Sequence, residues 1–123
     1  MALSEKAQTV KNTLLSVVAE KRELDVIEQE WQDLLTADGD YDEDDISLVT
    51  LLYRERQVLR RAVAKGQLRN WARLQSVPLT PPMRRMMRLR YVQAHTWNEI
   101  ADLMGKSKQY LIREHNKILE QMA

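Results

Sequence analysis

The residues best equipped for chemistry lie near the end of the chain. After Ser107, a helix-capping residue type, come Lys108, Gln109, Ile112, Arg113, Asn116 and Lys117, whose spacing puts them on the solvent side of one helix running to about Gln121. Arg and Lys can address phosphates or guanine edges, Gln and Asn can bond adenine through two hydrogen bonds, and an exposed Ile can meet a thymine methyl. The face is therefore expected to touch double-stranded DNA. Catalytic chemistry has no comparable set of groups. His95 and His115 stand twenty residues apart, there is no Cys, and no HExxH-like spacing, glycine-rich phosphate loop or recognisable nucleophile occurs. No catalytic residue, metal ligand or cofactor site is assigned, and an enzyme is not expected.

Such a face is useful only if the preceding elements hold it outward. Thr96 is placed to cap a short helix from Trp97 to Met104, Gly105 to break it, and Ser107 to start the next. A helix-turn-helix needs a small residue where its helices cross, a residue tolerating left-handed backbone in the turn, and an apolar anchor beyond. Ala101, Gly105 and Leu111 meet these needs at spacings of four and six. Upstream, Thr80 with Pro81 and Pro82 predicts the start of a helix over Met83 to Gln93, with Met83, Met86, Met87 and Tyr91 facing inward as core rather than as a functional patch. The aromatic residues, Trp97 included, fall near apolar stripes and read as core; Tyr110 alone is a candidate stacking surface.

Leu89-Arg90-Tyr91, Thr96-Trp97-Asn98-Glu99-Ile100-Ala101, Leu103-Met104-Gly105 and Ser107 together resemble the fourth conserved region of sigma-70-type factors, over about residues 79 to 121. The resemblance implies promoter reading by the second helix of the motif, with contacts at Ser107, Lys108, Gln109, Ile112 and Arg113, and backbone contacts from Arg84, Arg85 and Arg88 on the helix before it. The small size and acidic N-terminal half are similar to phage-encoded late-transcription regulators. Two positions depart from the family pattern: Ala94 where Gly is usual, which weakens a left-handed turn, and Lys106 where an apolar residue commonly pins the turn. Nothing resembles the part of a sigma factor that melts promoter DNA.

The rest of the chain must support this unit. With three Gly, three Pro and no Phe, and Ala, Leu, Glu, Gln, Arg, Lys and Met abundant, the composition predicts an all-α fold. Leu3, Ala7, Val10, Leu14, Val17, Leu24, Trp31 and Leu35 trace one amphipathic helix within residues 1–37, about 50 Å long at ~1.5 Å per residue. A seam that long suggests pairing with a second copy or a partner rather than packing wholly on its own chain, so a homodimer is expected. Residues 38–45 form an acidic linker in which Asp44 or Asp45 would cap the next helix. Its Asp38-x-Asp opening imitates a calcium loop but lacks the Gly and the Glu such a loop requires. Residues 46–78 make a basic helical region: a helix from Ile46 to Lys65 stopped by Gly66, then a short one around Leu68 to Leu74. Residues 79–123 are the helix-turn-helix module.

Charge supports a polyanionic partner. Residues 1–45 hold 4 Lys and Arg against 13 acids, a net of −9, whereas the remainder holds 15 against 5, a net of +10. From Arg54 to Arg90 there are ten Arg and Lys65 but a single acid, Glu55, so phosphates or the acidic N-terminal half must supply partners. No apolar run reaches the roughly 20 residues of a membrane span, and MALSEKAQTV is unlike a signal peptide, so no membrane contact and a cytoplasmic location are expected. The favoured reading is a DNA-binding transcriptional regulator of phage type, with RNA polymerase as a further candidate partner. The alternatives are a protein-binding adaptor or inhibitor built on the same scaffold, and a DNA-recognition subunit of a phage packaging terminase.

Overall fold

The computed structural model describes residues 2–36 and 42–123, and their regular structure is entirely helical. Five helices follow in order: α1 Glu5–Thr36, α2 Glu43–Gln75, α3 Pro81–Tyr91, α4 Trp97–Met104 and α5 Lys108–Met122. The first starts where Ser4 Oγ accepts the N–H of Ala7 at 3.1 Å. The Ser4 N–H, which a Glu or Gln at the third helical position often holds, donates instead to Glu120 Oε1 at the far end of the chain, 2.7 Å away. The start of α1 is thereby tied to α5.

Helices α1 and α2 pair antiparallel. Trp31 meets Tyr53 with ring centroids 5.6 Å apart, Glu28 faces Arg56 and Arg60 at 3.6 Å each, and Leu14 lies level with Asn70. The apolar seam of α1 is thus covered largely by its own chain: Ala7, Leu14, Val17, Val18 and Leu24 are buried against α2, α3 and α5, and only toward its end does Leu35 stay exposed. The seam from which a homodimer was expected is used inside one molecule.

Two expectations for α2 are corrected. It runs unbroken through Gly66, and residues 68–74 are its last turns rather than a separate helix. A glycine inside a helix costs about 1 kcal/mol relative to alanine, yet the buried seam continues across it through Val63, Asn70 and Leu74, and a Cβ on Gly66 would lie 2.9 Å from Val17 Cγ2. Gly66 lets two helices approach; it does not end one. The cap of α2 is Asp42, not Asp44 or Asp45: Asp42 Oδ1 accepts the Asp45 N–H at 2.8 Å, and Asp45 Oδ2 accepts the Asp42 N–H at 3.1 Å. Residues 38–41 of the acidic linker lie outside the described residues. Glu43, Asp44 and Asp45 stand in the first turn of α2, where their charge meets the positive end of the helix dipole.

The first half of α1, the end of α2 and all of α3, α4 and α5 share one core, in which Leu14, Leu74, Met86, Met87, Tyr91, Ile100, Leu111 and Leu119 are fully buried. Helices before and after residue 78 contribute to it alike. The remaining halves of α1 and α2 extend beyond this core as a two-helix arm about 30 Å long at ~1.5 Å per residue. Along α2, Asp42 and Asn70 are separated by ~40 Å on the same measure, so the described carboxylates at the arm's end are remote from the basic face of α5. Screening of that face by residues 42–45 of the same molecule is geometrically excluded.

Candidate nucleic-acid interface

Local chemistry builds the turn between α4 and α5. Thr96 Oγ1 accepts the Glu99 N–H at 3.2 Å while Glu99 Oε1 accepts the Thr96 N–H at 3.1 Å, which closes both ends of a capping box. His95 Nδ1 lies 3.1 Å from Glu99 Oε2, and this contact together with the Thr96 donors holds the Glu99 carboxyl down at about 2. At the other end, Gly105 adopts φ +64° and its N–H, like that of Lys106, returns to the Ala101 carbonyl. Nothing lies within 4 Å of a Cβ built on Gly105, so backbone conformation alone demands glycine there. Ser107 Oγ then accepts the Tyr110 N–H at 3.2 Å and starts α5.

The turn before α4 makes the same conformational demand without glycine. Ala94 has φ +60°, the only non-glycine residue at positive φ among the described residues. It is held by its surroundings: Leu89 O accepts the His95 N–H at 2.9 Å, and Arg90 Nη1 donates to His95 O at 3.0 Å. Two side chains of α2 satisfy the carbonyls left open at the end of α3, which stops at Tyr91 rather than Gln93. Asn70 Nδ2 donates to Tyr91 O at 2.9 Å and to Leu14 O at 3.1 Å, and Gln67 Nε2 donates to Val92 O at 2.7 Å. Thr80 precedes α3 as expected but makes no capping hydrogen bond with its side chain; Pro81 and Pro82 have no N–H to offer.

Beneath the turn sits a buried polar cluster. The Tyr91 hydroxyl meets His115 Nε2, and His115 Nδ1 lies 3.0 Å from Asn116 Oδ1. Since the amide oxygen can only accept, Nδ1 carries the proton and Nε2 accepts from the phenol. Trp97 packs edge-on against the imidazole at 4.8 Å, with Arg90 5.2 Å over the indole. Burial pushes the His115 pKa down to about 4 and the Tyr91 phenol up to about 12. Tyr91 and His115 are both neutral near pH 7, and their contact fixes the rotation of α5 about its axis.

That rotation buries Leu111, His115, Ile118 and Leu119 and turns Lys108, Gln109, Arg113 and Lys117 to solvent. Ile112 and Asn116 lie half-buried at the edge of the face, the amide of Asn116 already engaged by His115, and Ser107 is committed to its cap. Lys117 Nζ pairs with Glu114 at 3.1 Å. Lys108, Gln109 and Arg113 make no side-chain hydrogen bond or ion pair among the described residues. Tyr110 remains exposed beside them, 6.0 Å from the Lys106 ammonium.

Two of the three arginines of α3 are held against α2. Arg84 Nη1 donates to Gln75 Oε1 of α2 at 2.7 Å, and Arg88 lies 5.9 Å over the Trp71 ring. Both lean on α2, whose backbone does not approach that of α5 among the described residues; Arg85 is exposed. The residues that sequence reasoning passed over are Asn70, Gln67 and Glu120, polar side chains that position the motif from elsewhere in the chain. Their only signal was an uncharged or acidic side chain where a seam or a basic face would otherwise continue. No family model, curated protein or solved structure matches this chain.

Proposed function

We propose that this chain is a sequence-specific DNA-binding transcriptional regulator of phage type that inserts α5 into the major groove of duplex DNA. The observation that carries this reading is the pairing of a glycine-turned two-helix unit with an α5 face on which Lys108, Gln109 and Arg113 have no hydrogen-bond or ion-pair partner among the described residues. The net of +10 on residues 46–123 supports it by favouring a polyanion. Lys108 and Gln109 lie at the N-terminal end of α5, the end that reads base edges in helix-turn-helix docking. Arg85, exposed on α3, is a candidate phosphate contact, whereas Arg84 and Arg88 would first have to leave Gln75 and Trp71.

RNA polymerase is the protein partner this reading implies, and the cytoplasm the compartment in which the chain meets DNA. Among the described residues no helix is long and apolar enough to cross a membrane. The deciding experiment selects bound fragments from random duplex DNA and titrates the enriched sequence against a scrambled one at several salt concentrations. A shared sequence bound more tightly than the scrambled duplex is expected; equal binding of both would remove sequence-specific recognition from the proposal.

A further inference from the structure

Helix α2 carries two seams, and only one of them is covered. Val49, Leu52, Leu59, Val63, Gly66 and Asn70 follow a 3-and-4 spacing toward α1, and each is buried or half-buried. One residue earlier in register, Leu48, Leu51, Val58 and Ala62 form a second stripe with the same spacing, the first three exposed and Ala62 half-buried. Leu51 is 53% exposed and Val58 72% exposed. A helix that pairs with a single neighbour needs one such seam; a second, adjacent one belongs to a helix packed by a further helix.

The ends of the second stripe say what that helix is. Continued at the same spacing, the stripe begins at Asp44 and finishes at Lys65 and Arg69, all exposed, so it is acidic at one end, apolar in the middle and basic at the other. Laid antiparallel on an identical stripe, Asp44 meets Lys65, Leu48 meets Ala62 and Leu51 meets Val58, with Glu55 at the two-fold axis. Laid parallel, like charges meet at both ends. Only the antiparallel pairing of two copies brings opposite charges together at both ends and apolar residues together between them, with Glu55 the one like-charge contact, and it is isologous, as a closed dimer requires.

We infer that the exposed face of α2 is a homodimer interface in which two arms pack antiparallel through the stripe from Asp44 to Lys65. It is distinct from the α1 seam and does not depend on the DNA-binding reading. Glu55 sets the register and weakens the pairing, because two carboxylates approach at the axis. The two helix-turn-helix units then lie at opposite ends of the assembly, the Asn70 positions on the order of 45 Å apart along α2. If they do bind DNA, their half-sites lie more than one turn, about 34 Å, from each other.

Sedimentation equilibrium of the full chain tests this. The wild type should rise from monomer toward dimer mass with concentration, and Leu51→Asp with Val58→Asp should hold it monomeric at unchanged helicity, with the Tm of the wild type at dilutions where the wild type is itself monomeric, since both side chains are exposed. Glu55→Leu should tighten association at least about tenfold. Asp44→Lys and Lys65→Glu should each weaken it, and the two together should restore it. A wild type that stays monomeric up to about 1 mM overturns the inference, whether or not RNA polymerase protects the arm. So does a dimer indifferent to the Leu51 and Val58 changes, or a charge exchange that fails to restore association.

Discussion

Asn70 donates to the carbonyl of Tyr91, the last residue of α3, from a fully buried position on α2. The same amide nitrogen reaches Leu14 O in α1, and its oxygen accepts from Arg73 Nη1 at 3.3 Å. One side chain therefore joins the arm to the turn that aims α4 and α5. Asn70→Ala should cost about 2 to 3 kcal/mol, through the lost hydrogen bonds and the buried carbonyl of Tyr91 left without its partner. Asn70→Asp, of the same shape, should cost at least as much, because a carboxylate cannot donate and would face two carbonyl oxygens. Urea unfolding of both variants checks this; wild-type stability in the Asp variant would show that the amide is not the joint.

Ala94 and Gly105 share a left-handed backbone and differ in side chain. An L-residue with a Cβ pays roughly 1 to 2 kcal/mol in that conformation, while glycine loses more freedom on folding. Ala94→Gly should therefore stabilise the protein by up to about 1 kcal/mol, and Gly105→Ala should destabilise it by a similar amount with no clash to relieve. Opposite shifts in Tm are expected; a loss in the first variant would mean that packing of the Ala94 methyl outweighs its strain.

His115 makes stability depend on pH. Its pKa falls from 6.5 in the unfolded chain to about 4 in the folded one, so the unfolded state binds more protons between those values. The contribution is fully present above pH 6.5 and is lost as pH falls toward 4, amounting to about 3 kcal/mol across the window. The carboxyl of Glu99, lowered from 4.5 to about 2, takes over the acid loss below pH 4.5. Tyr91, raised from 10 to about 12, produces the mirror loss as pH climbs through that range. Denaturant unfolding of His115→Gln should show a flatter profile between pH 6.5 and 4.5 than the wild type; identical profiles would place the titration elsewhere.

On the outer face, Lys108→Ala and Arg113→Ala should each weaken binding to the selected duplex by ~1 to 3 kcal/mol while barely moving Tm. Arg84→Ala should matter less, since its guanidinium is occupied by Gln75. Fluorescence anisotropy beside thermal melts separates the two effects. Unchanged affinity in both α5 variants would take recognition away from this helix.

How far the sequence reaches depends on the range of the interaction. The α4–turn–α5 unit was legible because its determinants are local: the Thr96 and Ser107 hydroxyls and the Gly105 backbone act within four residues of themselves. The seam of α1 was legible for the same reason, as a periodicity along one helix. What covers that seam was not, because burial is satisfied equally by a second copy or by α2, and only the antiparallel return of the chain chose α2. Gly66 carries a stop signal in its own neighbourhood, which is overridden by contacts with Val17 from a helix nearly fifty residues earlier. Ser4 shows the limit most simply. It begins a helix by a local rule, but the carboxylate that completes its cap is Glu120, placed there by the packing of α5 on α1. Composition, capping and periodicity are properties of a stretch of chain and determined which helices form. Which faces met, and hence which charges on α5 were left exposed, followed from packing between residues far apart in sequence, and that is decided by tertiary structure alone.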